Sequence, residues 1–116
     1  MIQTRIAATM GMLAVALGAF GAHTLKSLLA TNDTAAIWQT AVFYHLTHAI
    51  ASLWTAGKNT LVFWLWTTGV LIFSGSLYIL AISNIRWLGA ITPIGGTLLI
   101  AGWIVLIAKP PSDSMK

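Results

Sequence analysis

No cysteine occurs among the 116 residues, and acidic side chains are almost as scarce, with two in the whole chain. The first absence excludes disulfides, thiolate metal sites and cysteine nucleophiles, and says nothing decisive about compartment. Charge of either sign amounts to 7% of residues, where a soluble domain carries about 25%. A chain this poor in charge cannot cover its own surface in water. What is abundant points the same way: 58% of residues are hydrophobic and the mean hydropathy is +0.86. The natural solvent for this chain is lipid.

The charged residues are Arg5, Lys26, Asp33, Lys58, Arg86, Lys109, Asp113 and Lys116. Between them lie uncharged stretches at 6–25, 34–57, 59–85 and 87–108. A hydrocarbon core of about 30 Å needs about 20 apolar residues of helix, so each stretch can cross once. The runs lack the alternating polarity of barrel strands, and only helices and closed barrels satisfy their backbone groups in lipid. The expected fold is therefore all-α, an integral membrane four-helix bundle with short loops. It forms a single transmembrane domain over 1–116, with spans at about 4–22, 33–56, 60–83 and 87–108.

Details of each predicted helix follow from local chemistry. Ala7, Gly11, Ala14 and Gly18 share one face of the first helix, a small-residue stripe that lets another backbone approach. Arg5 and the apolar run ending at Ala19-Phe20-Gly21 also resemble a signal peptide. A single charge ahead of the run and the packing glycines favour a retained helix. Segment 23–30, with Lys26 among leucines, reads as an interfacial helix lying flat or as extra turns of the first helix; the flat reading is preferred. Thr31-Asn32-Asp33-Thr34 is a run of N-cap residues, placing the start of the second helix there with Asp33 on its dipole. Trp54, Trp64 and Trp66 suit an interfacial belt near the Gly57-Lys58-Asn59 turn. Glycines in Phe73–Tyr78 and Thr92–Gly96 read as close packing, and Thr92-Pro93 caps or kinks the fourth helix. Residues 112–116 are expected to fray.

The net charge of +4 does not indicate nucleic acid, because the cations sit singly at helix ends and meet lipid headgroups. Arg5, Lys58, Lys109 and Lys116 lie on the side of both termini, against Lys26 and Arg86 opposite. The excess places both termini in the cytoplasm of a multi-pass protein. The expected partners are the lipid bilayer and a homo-oligomer or larger membrane complex, with no nucleic acid.

The second predicted helix is the most polar. Trp38, Ala41, His45, His48, Ser52 and Thr55 fall on one face, with His45 near the bilayer midplane and His48 about 4.5 Å further along. Ionisable residues at that depth face the bundle interior and are functional candidates by default. The structural reading is the favoured one: a neutral histidine donates one hydrogen bond and accepts another, and Ser74, Ser76, Tyr78 and Thr92 are available partners. The candidate binding residues are Gln39, Tyr44, His45, His48, Ser74 and Tyr78, with His23 as an additional member. A copper or zinc site at His23, His45 and His48 requires the first helix to continue to about residue 30. Otherwise His45 lies about 18 Å deeper than His23. Two histidines on one helix face cannot take opposite axial positions on a haem. No metal and no cofactor is expected.

No carboxylate lies at membrane depth, so a carboxylate ion relay is missing. Ser74-Gly75-Ser76 lacks the G-x-S-x-G frame of a hydrolase elbow. No catalytic constellation is visible, and the chain reads as a non-enzyme. A scaffold or accessory subunit is the first reading. Small-molecule or ion binding through the stripe is the second, and a metal or quinone redox component the third.

Five motifs taken together carry a family resemblance: Gly18-Ala19-Phe20-Gly21-Ala22-His23; Trp38-Gln39-Thr40-Ala41 with Tyr44-His45 and His48-Ala49; Phe73–Tyr78; Thr92–Gly96; and Gly102-Trp103. In this order, over nearly the whole chain, they resemble the YgdD family. That group of small bacterial inner-membrane proteins, with relatives in animals, is a domain-of-unknown-function family. The resemblance implies a four-span inner-membrane protein and implies no reaction. It also implies that His23, His45 and His48 belong to the family's common structure or role.

Overall fold

A computed structural model describes residues 1–111, and those residues are helical almost throughout, with no strand among them. Five α-helices follow one another: α1 (Ile2–Ala22), α2 (Lys26–Asn32), α3 (Ala35–Thr55), α4 (Thr60–Ser83) and α5 (Thr92–Ala108). A 3-10 turn, Arg86–Ala90, precedes α5. The expectation for 112–116 lies outside the described residues.

Local chemistry explains the boundaries, and corrects two of them. Segment 23–30 does not extend α1; it holds most of a separate short helix whose bounds lie a few residues later than expected. The chain breaks at His23 (φ −123°, ψ −80°), and a separate α2 runs on through Asn32. The run of N-cap residues therefore does not begin the next helix. Thr31 and Asn32 finish α2, and Asp33 ends it in the left-handed region at φ 54°. Short polar side chains enter that region more readily than others. Thr34 takes the N-cap position of α3 without capping it; its hydroxyl instead donates to the Ala81 carbonyl of α4 at 2.8 Å. α4 begins as expected, with Asn59 Oδ1 accepting from the Val62 amide at 3.0 Å, and ends on Asn84 at φ 59°. Pro93 falls in the first turn of α5, where a missing amide hydrogen costs nothing. It starts that helix and does not kink it.

Among the described residues, three helical segments are long and apolar enough to cross a membrane: Ile2–Ala22, Thr60–Ser83 and Arg86–Ala108. The helices pair in chain order, α1 with α3, α3 with α4 and α4 with α5, while α2 touches α1, α3 and α4. α1 and α5 do not pair, so the row is open where a closed bundle would join its ends. Met10, Ala49, Val62, Trp66, Val70 and Leu99 form the main core, drawn from all four long helices. Leu29, Trp38 and Ala81 form a second core under α2.

Close approach of the helices depends on glycine at specific points. A Cβ on Gly95 would meet the Phe73 backbone and stand 2.8 Å from the Gly69 carbonyl oxygen, so α4 and α5 touch backbone to backbone. Gly21 and Gly102 each lie directly under an indole, of Trp38 and Trp66 respectively. Gly75 meets nothing within 4 Å, so close packing, the expected reason for it, does not hold there. Trp66 also departs from the expected interfacial belt. It is 1% exposed in the core, whereas Trp54 and Trp64 do face outward.

Candidate functional site: the polar face of the third helix

α3 turns its polar stripe inward. Trp38, Ala41, His45, His48, Ser52 and Thr55 are all buried, as their three- and four-residue spacing dictates on a helix paired on both sides. Phe43, Ile50, Leu53 and Trp54 form the opposite, exposed face.

Hydrogen bonds tie this stripe to α1, α4 and α5, while the buried Ser52 hydroxyl has no partner among the described residues. Trp38 donates its indole N–H to the Leu17 carbonyl of α1 at 2.9 Å. Ser74 of α4 donates to the Ala41 carbonyl at 2.8 Å. His45 Nδ1 and the Tyr78 hydroxyl of α4 are 2.8 Å apart, and the histidine also sits against the Met10 backbone of α1. Ser76 and Thr92, the other candidate partners, bond each other at 2.6 Å between α4 and α5.

His48 is the most constrained member. Trp103 of α5 donates its indole N–H to His48 Nε2 at 3.1 Å. An indole is only a donor, so Nε2 accepts and the ring proton resides on Nδ1, which donates to the Tyr44 carbonyl at 2.9 Å. Both ring nitrogens are thereby used in one neutral tautomer. The ring is flanked edge-on by Trp66 and Trp103 at 5.7 and 5.9 Å between centroids, with Tyr44 stacked beyond at 6.2 Å.

The structure brings some predicted site residues together and separates others. Tyr44 and His48 share a cleft of about 230 Å³ with Phe73, Leu99 and Trp103. His45 and Tyr78 form a bonded pair, and Ser74 is spent on the α3 backbone. Gln39 faces outward, one position off the stripe, into a larger groove of about 460 Å³ between α1 and α3. His23 is exposed at the end of α1, and no group of three metal-ligating side chains forms among the described residues.

Trp103, Trp66, Asn32 and Arg86 were not read as site residues from the sequence. Asn32 donates to the Ala81 and Ile82 carbonyls, both at 3.1 Å, and Arg86 donates to the Asn32 carbonyl at 2.7 Å. Together they pin α2 to the far end of α4. The Gly102-Trp103 motif marked one of these residues, but its partners His48 and Trp66 are too far away in the chain to be linked by pattern.

An inward polar stripe, an apolar outer face and long uncharged helices define a helical membrane protein. Comparison with known sequences agrees and sharpens this. The chain belongs to the family described as protein of unknown function DUF423, whose profile matches residues 17–96. It is 46% identical over 103 residues to a UPF0382 membrane protein of Staphylococcus haemolyticus, covering 83% of this chain and 84% of that one. The UPF0382 membrane protein YwdK of Bacillus subtilis is 42% identical over 105 residues, covering 83% and 85%. The UPF0382 inner membrane protein YgdD of Escherichia coli is 37% identical over 109 residues, covering 87% and 82%. No solved structure matches the chain at a significant level.

Proposed function

We propose that this protein is a four-span, non-enzymatic membrane scaffold or accessory subunit in which the stripe of α3 is structural. The observation that carries this reading is the state of His48. With Trp103 and the Tyr44 carbonyl on its two nitrogens, it has nothing left to offer a metal, a proton or a substrate. Ser74, Tyr78 and Trp38 are similarly committed to neighbouring helices.

The four-span count adds α3 to the three more apolar segments. Its polar side chains lower its mean hydropathy, but they are buried, and lipid would meet Phe43, Ile50 and Leu53. Its 21 residues reach about 31 Å, the thickness of a hydrocarbon core. The excess of Lys and Arg supports both termini in the cytoplasm, with α2 on the opposite side.

A second reading, small-molecule binding, draws on the cleft beside His48, whose wall includes the half-open rings of Tyr44 and Trp103. A His48→Ala variant separates the two. The scaffold reading expects a lower melting temperature in detergent and unchanged small-molecule content. A variant that melts normally but loses a bound molecule present in the parent, or a parent carrying stoichiometric metal or a quinone spectrum, overturns it.

A further inference from the structure

The groove between α1 and α3 has a direction. Its floor is made small by Gly18, Gly21 and Ala22, and its walls run along α3 from Ala35 to Ile50. Fifteen residues of helical rise give it a length of about 22 Å, against about 15 Å for half of a hydrocarbon core. One end lies beneath α2, where Leu29 lines it. Lys26 stands one turn from Leu29 on the same face of α2 and is exposed, as is His23 just before it. Next comes Gln39, whose side chain faces the groove and makes no hydrogen bond among the described residues. Beyond Gln39 the lining is almost wholly apolar, with Val42, Phe43, Leu46 and Ile50. Asp33, the carboxylate at the other end of α2, is about 10 Å from Lys26 by helical rise.

We propose that this groove is a binding site for one anionic glycerophospholipid, with its phosphate at Lys26, its ester region at Gln39 and an acyl chain along α3. A cation, then an amide with free donors and acceptor, then a leaflet-deep apolar channel is the polarity order of such a lipid read from headgroup to tail. A second copy of this chain would offer an apolar helix and would leave Gln39 unsatisfied in hydrocarbon, at a cost. The inference rests on α1 and α3 crossing the bilayer.

The test uses the full chain in an uncharged detergent, titrated with phosphatidylglycerol or phosphatidylcholine and followed by native mass spectrometry. One phosphatidylglycerol per chain, held more tightly than phosphatidylcholine, is expected. Lys26→Gln is expected to weaken phosphatidylglycerol about fivefold, the share of one cation near an anionic surface, and phosphatidylcholine less, because its choline already offsets the phosphate charge. Leu46→Trp fills the channel and abolishes retention of both. Lys26 and Gln39 are exposed, so Lys26→Gln and Gln39→Leu remain informative if the filled variant does not fold. Equal affinity for the two lipids, binding indifferent to Lys26→Gln and Gln39→Leu, or a dimer that shields a Val42→Cys thiol from labelling would each overturn the site. Reporters on the two termini test the span count separately, so a failed topology and a failed lipid site are distinguishable.

Discussion

At Trp38 and Trp66 the same three-part contact recurs on two different helix pairs. Each indole lies on a glycine of the facing helix, Gly21 or Gly102, and donates to a carbonyl a turn earlier, Leu17 at 2.9 Å or Leu99 at 3.0 Å. Hydrocarbon gives helices no hydrophobic reason to associate, so close packing and interhelical hydrogen bonds must do it. Trp66→Phe keeps most of the ring and deletes the donor, and should cost about 0.6–1.7 kcal/mol in detergent unfolding. Gly102→Leu drives a side chain into the same indole and should cost at least as much, about 1–3 kcal/mol. Two other glycines give an opposed pair. Gly95→Ala should lower stability by about 1–3 kcal/mol by prising α5 from α4. Gly75→Ala meets open space and should raise stability by about 0.5–1 kcal/mol through the stiffer backbone. A Gly75 variant as damaging as the Gly95 one would refute this account of the interface.

Among the elements, α2 is the one whose position depends most on polar contacts. Asn32 and Thr34 both reach carbonyls at the end of α4, and Arg86 returns to the Asn32 carbonyl. The residues that look like a helix start in the sequence are therefore a helix end and an interhelix clamp. Their side chains suit either task, and the choice is made by α4. Asn32→Ala should speed hydrogen exchange across Lys26–Asn32 while α4 stays protected. The opposite pattern would mean that apolar Leu29 alone seats α2. The left-handed residues offer a backbone test: Asp33→Val should destabilise by about 1–2 kcal/mol, whereas Asp33→Gly should not. Asn59, by contrast, is a cap that its position before an apolar run already announces. Asn59→Ala should cost about 1 kcal/mol, read as a shift in the unfolding midpoint.

For the whole molecule, the open row leaves α1 and α5 as free edges, each paired on one side only. The proposed scaffold role would use such edges, because lipid or another subunit could extend the row there without dismantling it. The topology prediction belongs here. Reporters fused to the two ends should both respond from the cytoplasm. Ends on opposite sides would remove α3 from the crossing helices and with it the proposed four-span reading. The proposed topology rests on composition: four uncharged stretches and their flanking cations are visible without any structure.

The sequence by itself determined the solvent, the helical class and which face of α3 turns inward. The reason is that a 3.6-residue period and the cost of unpaired polar groups in lipid act locally. It also marked Tyr44, His45, His48, Ser74 and Tyr78 as special without saying for what. Only the tertiary structure decided that, because a hydrogen bond's role depends on what lies across it. Trp103, which is 55 residues from His48, fixes that ring's tautomer and spends its second nitrogen. The same crossing of helices puts Gln39, one position away from the stripe, outside it and into the groove. Small residues on α1 were legible as a packing stripe, and Ala7, Ala14 and Gly18 do pack, whereas Gly11 meets nothing within 4 Å. Whether each glycine met an indole, a side chain or empty space was settled by the neighbour that the fold placed there.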